Sequence, residues 1–513
     1  MSSASGLRQT VDAFFEFALR ECDTSSGLRD LLPVVEARRR TLRQPMRVAF
    51  VGKTNCGKST MMNAFLGEEL APTGNGELTF NVTWFRYGAQ RRLVVHSVDG
   101  TTESETFDSL ERLTARCEER RDLLERIRFI EVQCPNPLLK TFDLIDTPGL
   151  HSFYEKDSKN TLDLLSDEES RPHAVVFLFS GTLQEPDVRE LERFHENCGS
   201  VVSGLTAIGA LTKVDECEHE FEDGWRIIHQ IQERHPQTRR YFFTILPVVG
   251  PAAFGANTLT ESDTRTLCAL AALPHSRNTR LLRDVASFRE REYSEIPEIP
   301  PAAERRKVFD RLGRYGVRQS IARLAAGEDP ATLSQSLLSS SNVENLRNIV
   351  TSHFGGRAWM IKARSALAFL REQAFRRATG PTAAAANRIA GAIDTIILNE
   401  PRFREFAVLE RYYAGALQLD AEQLQEVLEI TGENGWSCAR RLGGDEATPL
   451  SELRQRAEIR QRRWHERAFE TFASLEMQEV SRVLADSYAA LHERILQATE
   501  HIRNAEELLA YDL

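Results

Sequence analysis

The strongest chemical signature in this sequence is a glycine-rich loop near the amino terminus. A short apolar stretch, 47–51, runs directly into the pattern Gly-x-x-x-x-Gly-Lys-Ser at 52–59. Backbone N–H groups of such a loop surround a polyphosphate, the lysine reaches its β- and γ-phosphates, and the serine hydroxyl binds Mg²⁺. We therefore predict a nucleoside-triphosphate site after a buried strand. Its predicted phosphate contacts are Gly52, Thr54, Asn55, Cys56, Gly57, Lys58, Ser59 and Thr60.

A second motif of this chemistry, Asp146-Thr147-Pro148-Gly149, follows the apolar stretch 142–145. A carboxylate beside a phosphate loop can hold Mg²⁺ through water, and the N–H of the glycine can sense the γ-phosphate. We predict these roles for Asp146 and Gly149. Taken alone, the tetrapeptide is also compatible with an ordinary Pro-Gly turn.

The third motif, Thr212-Lys213-Val214-Asp215, follows the apolar stretch 206–211 and indicates the base. A carboxylate at Asp215 can accept hydrogen bonds from N1–H and the exocyclic amine of guanine. Adenine lacks this pair of donors, so an adenine nucleotide would leave the carboxylate unpaired. We predict that Lys213 lies along the base and that GTP is the substrate. A solvated Lys-x-Asp pair is the alternative, and Thr212 replaces the commoner asparagine.

Between the first two motifs lies the segment 72–79, which contains two glycines and a proline. This composition predicts a mobile loop after the helix that starts at the phosphate loop. A threonine in such a loop can complete the Mg²⁺ site when the γ-phosphate is present. Thr73 and Thr79 both fit on spacing, and a simple turn hydroxyl fits equally well, so the residues alone leave the choice open.

The stretch from Pro72-Thr73 through Thr79 to Arg86-Tyr87-Gly88 resembles the switch I region of dynamin-superfamily GTPases. The resemblance implies that Thr79 is the switch I threonine, which binds Mg²⁺ and takes part in catalysis with Lys58 and Gly149. The segment 246–250, Leu-Pro-Val-Val-Gly, is similar to the fifth guanine-binding segment of that family, which implies a base contact at Val248.

The later segments 311–318 and 353–357 resemble actinobacterial members of the bacterial dynamin-like group. The resemblance implies GTP hydrolysis with Mg²⁺ by a GTPase domain carried on a helical neck and trunk. It also implies nucleotide-dependent dimerisation of the GTPase domains, as a homodimer or with a paralogous dynamin-like protein. The expected output is membrane remodelling or maintenance through peripheral lipid contact at the cytoplasmic face.

The phosphate loop departs from the dynamin pattern at one position. Dynamins have glutamine where this chain has Thr54, and that glutamine positions the attacking water. The next residue, Asn55, instead resembles the asparagine of potassium-activated GTPases, written Gly-x-x-Asn-x-Gly-Lys-Ser. We hypothesise that K⁺ held by Asn55 supplies positive charge to the transition state in place of an arginine finger.

Composition limits the other function classes. The 513 residues suggest roughly two to four domains. The net charge of −10 argues against a nucleic-acid partner. The eight cysteines are scattered without a C-x-x-C pair, which favours free thiols in a reducing compartment. Without a visible signal peptide or a run of about 18 apolar residues, we expect a cytoplasmic protein that lies peripherally at the inner face of the cell membrane.

Strand and helix patterns alternate from 46 to about 250, which predicts an α/β P-loop domain with a mainly parallel sheet. Beyond residue 258 the pattern is helical, and 450–513 reads as one helix of about 60 residues. The predicted strands are 47–51, 80–87, 93–98, 127–132, 142–145, 174–179, 206–211 and 242–248. The predicted domains are N-terminal helices that pack with the neck (1–45), a GTPase domain (46–290), a hinge with short helices (291–341) and an all-α neck and trunk bundle (342–513).

Two stretches of the helical half could contact lipid. The helix at 356–379 carries six cations against one glutamate. It fits either an amphipathic lipid surface or an ordinary bundle helix, and we favour the bundle helix. The break that contains Trp436, Arg440 and Arg441 is a rival lipid-contacting tip.

Three other functions stay open at this level. A soluble regulatory switch would recruit a protein partner in its GTP state without touching lipid. An RNA-associated GTPase is suggested only by Asn55, and the acidic composition counts against it. An ATPase would require that Asp215 not read the base.

Overall fold

The computed structural model describes residues 3–71, 81–114, 118–148, 171–183, 188, 192, 204–217, 219–471 and 473–510. Contacts divide the chain into two compact units. Arg47–Val350 form the sheet unit, and Met1–Met46 together with Thr351–Leu513 form the helical unit. The predicted hinge at 291–341 falls inside the sheet unit, and the predicted domain limits stay predictions.

The described strands form one sheet. They are β1 (Met46–Gly52), β2 (Thr83–Tyr87), β3 (Arg92–Ser97), β4 (Thr102–Glu105), β5 (Ile127–Cys134), β6 (Phe142–Asp146), β7 (Ala174–Ser180), β8 (Ala207–Thr212) and β9 (Ile245–Pro247). Their order across the sheet is β4-β3-β5-β2-β6-β1-β7-β8-β9. Strand β7 pairs in parallel with β1 and β8, β8 with β9, and β2 with β5. The pairs β2–β6, β3–β5 and β3–β4 are antiparallel. The predicted α/β class with a mainly parallel sheet is confirmed.

Most predicted strands are present with ends that shift by a few residues. Strand β1 is buried along its whole length, as expected for a parallel strand whose sheet is covered on both faces. The strand predicted at 80–87 begins at Thr83. The one predicted at 242–248 is only Ile245–Pro247, where Pro247 has no N–H to extend the ladder.

Strand β4 was absent from the predictions. Its sequence, Thr-Glu-Ser-Glu, is polar and mostly exposed, because β4 lies at the edge of the sheet and pairs only with β3. An edge strand of this kind has no apolar alternation to mark it. The Asp99-Gly100 pair between the strands, with Gly100 at φ 87°, is the available signal, since Asp-Gly is a common hairpin turn.

The helices before and within the sheet unit connect and cover these strands. They are α1 (Ser3–Thr24), α2 (Leu32–Arg43), α3 (Lys58–Leu66), α4 (Leu110–Thr114), α5 (Arg121–Arg126), α6 (Phe221–Arg234), α7 (Thr238–Tyr241), α8 (Gly250–Thr258), α9 (Glu261–Ala271), α10 (His275–Arg283), α11 (Val285–Glu290), α12 (Ala302–Ala325), α13 (Leu333–Ser340) and α14 (Val343–Ile349). Helix α12 packs against α8, α9 and α11. The segment predicted as a hinge therefore contributes to the core of the sheet unit.

The helical unit contains α1 and α2 and seven further helices. These are α15 (Gly356–Arg376), α16 (Ala383–Asn399), α17 (Pro401–Tyr413), α18 (Ala421–Ile430), α19 (Cys438–Arg441), α20 (Leu450–Ala468) and α21 (Leu475–Ala510). Helix α1 packs on α16, and α2 packs on α15. Lys362 Nζ on α15 donates to the carbonyl oxygens of Leu42 (3.1 Å) and Gln44 (2.5 Å) at the end of α2. The N-terminal helices thus pack with helices from the other end of the chain.

The prediction of a single helix over 450–513 was wrong. Helices α20 and α21 pack against each other as a hairpin, because the chain leaves the helix at Phe469 and starts again at Leu475. Ser474 caps the second helix, since its Oγ accepts a hydrogen bond of 3.1 Å from Met477 N–H. Without Gly or Pro in the connection, a serine cap was the only break signal available in the sequence.

A buried ionic cluster joins α15 to the segment after α18. The side chains of His353 and Arg357 are fully buried and both contact the Glu433 carboxylate, with His353 Nδ1 2.9 Å from Oε2. Burial acts to raise the pKa of Glu433. The hydrogen bond from His353 and the charge of Arg357 outweigh it and hold the pKa at about 2. Because this value lies below the ordinary 4.5, the carboxylate stabilises the folded state above about pH 4.5, and the contribution is lost as pH falls through about 2.

Replacing Glu433 by glutamine should lower the free energy of unfolding near neutral pH by about 3 kcal/mol, because the stabilising charge is lost and Arg357 stays buried. Urea unfolding followed by far-UV circular dichroism measures this. The difference in unfolding free energy between the variant and wild type should shrink as the pH falls from about 4.5 to about 2, because the Glu433 carboxylate becomes protonated. Glu446→Gln is the matched control, since that side chain is 80% exposed in its pair with Arg440. Equal stability of the two variants would contradict the account.

Candidate nucleotide site

The phosphate loop has the backbone shape that its pattern predicts. Asn55 (φ 61°) and Gly57 (φ 89°) adopt left-handed conformations, and Gly57 precedes the first turn of α3. A Cβ atom on Gly52 would collide with the carbonyl oxygen of Leu178 and with Cys56 Sγ. Glycine is therefore required where the loop leaves β1. Amides in the first turn of a helix, such as that of Thr60 in α3, have no acceptor within the helix and can face an anion.

Thr212 links the base-reading motif to this loop. Its Oγ1 is buried and lies 2.8 Å from the carbonyl oxygen of Cys56 and 3.1 Å from that of Phe179, so its hydroxyl donates to the phosphate loop and to the end of β7. The threonine that replaces the commoner asparagine thus makes the connection between the two halves of the site.

Ser59 and Asp146 lie together at the start of α3 and the end of β6. Ser59 Oγ donates to Asp146 Oδ2 at 3.0 Å, while Asp146 Oδ1 is buried without a hydrogen-bond partner among the described residues. Burial raises the pKa of Asp146 to about 6, against the opposing influence of Lys58 and Ser59. A buried carboxylate oxygen with a free lone pair, next to a serine hydroxyl, is a donor set that fits Mg²⁺.

Lys58 is buried, and its Nζ donates to the carbonyl oxygen of Lys53 at 2.9 Å, across the loop. The neighbouring Thr54 has a buried Oγ1 that finds no partner in the described part of the chain. Asn55 is exposed. Thr73, Thr79 and Gly149 lie outside the described residues.

Asp215 lies in a 3₁₀ turn, Val214–Glu216, directly after β8. Lys213 adopts a left-handed conformation (φ 58°), Val214 is buried beneath it, and Asp215 is half-buried. Burial raises the pKa of Asp215, while Lys213 and Arg314 act to lower it. The Asp215 carboxylate is therefore partly accessible, on a turn that the buried Val214 holds in place.

Val248, the residue after the end of β9, is fully buried. Its backbone N–H donates to the carbonyl oxygen of Leu211 at 2.9 Å. The base contact implied for Val248 stays a prediction, and its amide is already used within the sheet unit.

The sequence patterns missed two polar residues that hold the site. Thr147 Oγ1 donates to the carbonyl oxygen of Phe50 at 2.9 Å, which fixes the end of β6 against β1. Asn63, fully buried on α3, accepts from the N–H groups of Leu70 (2.9 Å) and Ala71 (2.7 Å) and so holds the chain that leads to residue 72. An asparagine among apolar helix residues was the available signal.

The two stretches considered for lipid contact both make contacts within the helical unit. The six cations of the segment 356–379 all have partners in the helical unit, as expected for the bundle helix. The pairs are Arg357 with Glu433, Lys362 with the carbonyls of Leu42 and Gln44, Arg364 with Glu410, Arg371 with Asp394, Arg376 with Glu372, and Arg377 with Asp30.

The rival tip is also engaged internally. Trp436 Nε1 donates to the carbonyl oxygen of Gly356 at 2.6 Å, and the Arg402 guanidinium lies 4.5 Å from its ring centre. Arg441 is buried against Glu405 at 2.5 Å. Among the described helices, none of 18 residues or more is apolar enough to cross a membrane.

Comparisons with known proteins identify the family of this chain. The sequence model of the dynamin family matches residues 48–197. The chain is similar to the isoniazid-induced protein IniC of Mycobacterium tuberculosis, with 32% identity over 412 residues that cover 79% of this chain and 82% of that protein. It is also similar to dynamin-like protein 2 of Campylobacter jejuni, with 32% identity over 138 residues, 27% of this chain and 21% of that protein.

A solved structure of an oligomerised bacterial dynamin pair aligns with 93% of this chain and 71% of its own, at 14% identity and a TM-score of 0.33. The family assignment rests on the sequence relatives, since the identity to IniC extends over most of both chains. The chain belongs to the bacterial dynamin superfamily and is a GTPase.

Proposed function

We propose that this GTPase hydrolyses GTP to GDP and phosphate with Mg²⁺ and couples the reaction to association of its GTPase domains and movement of its helical unit. The observation that carries the proposal is the Ser59–Asp146 pair beside the phosphate loop. Its Asp146 Oδ1 has no hydrogen-bond partner among the described residues. The Thr212 hydrogen bond joins that loop to the end of β8, three residues before the carboxylate proposed to read guanine, Asp215.

Each residue has a distinct part in the proposed reaction. The loop amides and Lys58 hold the β- and γ-phosphates, so Lys58 must exchange its bond to the Lys53 carbonyl for one to phosphate. Ser59 and, through water, Asp146 would hold Mg²⁺, which would neutralise charge on the β- and γ-phosphates. Thr79 is proposed to complete that site, and the Gly149 amide to contact the γ-phosphate.

Positive charge for the transition state is proposed to come from K⁺ at Asn55. Thr54 lacks the carboxamide by which a glutamine could orient the attacking water. Asn55 is exposed and has a left-handed backbone, and its side-chain oxygen is a ligand of the kind that K⁺ accepts. A bound monovalent cation there would act as an arginine finger does in other GTPases.

Initial rates of phosphate release from GTP, measured in potassium and in sodium buffers of equal ionic strength, test the reaction and the cation together. We expect Mg²⁺-dependent hydrolysis that is at least about tenfold faster in potassium. Asn55→Ala should remove that difference, and Lys58→Ala should abolish hydrolysis.

Equal rates in both salts would overturn the role of K⁺, and absence of Mg²⁺-dependent hydrolysis would overturn the proposed function. A specific rate that does not rise with protein concentration would overturn association of the GTPase domains.

The membrane part of the proposal rests on a different surface from the two predicted ones. The turn between α20 and α21 exposes Phe469 (68%) and Leu475 (83%) on either side of the connection. Large apolar side chains exposed together at the end of a helical hairpin are suited to insertion among lipid acyl chains. A regulatory switch that recruits only a protein partner is the alternative function, and it would not require contact between this turn and lipid.

Sedimentation with liposomes of mixed neutral and anionic lipid separates these functions. We expect Phe469→Ser with Leu475→Ser to reduce the pelleted fraction at least about threefold, since two large exposed apolar side chains are removed from the turn. Leu398→Ser is the matched control, because Leu398 is 68% exposed in the same unit. Pelleting that is absent in wild type, or unchanged in the double variant, would contradict membrane contact through this turn.

A further inference from the structure

Helix α12 is broken at the guanine-reading carboxylate. Gly313 interrupts it with φ 65° and ψ 179°, a conformation that favours glycine. A Cβ atom built on Gly313 would lie 3.1 Å from Pro251 Cβ and 3.5 Å from Asp215 Oδ2. The break therefore brings bare backbone to the side of Asp215, and a larger side chain at position 313 would extend into the same space.

The half of α12 after the break is fixed on the segment that follows Asp215. Arg318 forms an ion pair with the buried Glu220. The ring of Tyr315 packs edge-on against Phe221 with ring centres 5.5 Å apart, and its hydroxyl donates to the carbonyl oxygen of Ser340 at 3.0 Å. Arg314 lies between the break at Gly313 and Tyr315, so these contacts hold its backbone beside the turn that contains Asp215.

Three acidic side chains, Asp215, Glu216 and Glu220, lie close together at this turn. Lys213 pairs with Glu216 at 3.5 Å, and Arg318 pairs with Glu220. The exposed Arg314, next to the break at Gly313, acts on Asp215 and Glu220 in favour of the charged carboxylates. Its position is thus suited to offset the charge of Asp215.

We propose that Gly313 and Arg314 form the outer side of the guanine site, in which Gly313 leaves room for the base edge in front of Asp215 and Arg314 is a positioning residue that keeps the Asp215 carboxylate available to guanine. The inference rests on the proposed reading of guanine by Asp215. Helix α12, which follows the three motifs in the chain, would then contribute to the specificity for the nucleotide.

Calorimetric titration of the full-length protein with GDP tests the role of Arg314. We expect Arg314→Ala to weaken GDP binding about three- to tenfold, with a larger effect at low salt, because the contribution is that of one exposed charge. Arg314→Lys should restore most of the affinity, since it keeps the charge. Arg323→Ala, which removes one cation from the same helix at its pair with Glu328, should bind GDP as wild type does.

Gly313→Ala gives a second test, with Gly327→Ala as the control for left-handed strain. Gly327 has φ 91° and nothing within 4 Å of a built Cβ. We expect GDP affinity to fall at least about tenfold only in Gly313→Ala, since only there does the strained residue touch the base site.

If wild type prefers GDP to ADP and Arg314→Ala binds GDP unchanged, or Arg314→Lys fails to restore a loss, the inference alone is overturned. If wild type shows no preference for GDP over ADP, the proposed guanine reading fails and the inference fails with it.

Discussion

The hydrogen bond from Thr212 to the carbonyl oxygen of Cys56 is the contact on which the nucleotide site depends. It joins the end of β8, which precedes the turn proposed to read guanine, to the phosphate loop that follows β1. Strand β7 lies between them, with Gly52 in register with Leu178 and Ser180 with Thr212. A buried hydrogen bond of this kind contributes only about 1 kcal/mol net. Its importance is geometric, because a nucleotide must reach both loops at once.

The helix after the phosphate loop is held by residues distant in sequence. The start of α8 approaches α3, where a Cβ on Gly250 would lie 3.3 Å from Met61 Cε. Arg347, on α14, donates to the carbonyl oxygen of Ala64 on α3 at 3.1 Å. The helical segments between 250 and 350 therefore support the phosphate loop and, through the break in α12, the base-reading turn. Through these contacts, a movement of either loop can be passed to the last helices of the sheet unit.

Local spacing in the sequence predicted where the motifs lie, and it did less well where partners come from distant segments. The positions of the phosphate loop, Asp146 and Asp215 were predictable because each motif follows a strand, and parallel strands bring their carboxyl ends to one edge. The roles of these residues in nucleotide binding stay predictions. The cations of α15 could not be assigned, since periodicity shows which side of a helix is polar but not that Asp30 or Glu410 will face it. The hairpin of α20 and α21 and the position of Gly313 beside Asp215 could not be predicted for the same reason. Both depend on packing that no local pattern records.

We propose that the phosphate loop and the Asp215 carboxylate form one nucleotide site in this sheet unit. Titration of the wild-type protein with GDP and with ADP, at equal Mg²⁺, tests this proposal. We expect GDP to bind at least about a hundredfold more tightly than ADP, because adenine would leave the Asp215 carboxylate without its donors. Equal affinities for the two nucleotides would contradict the account.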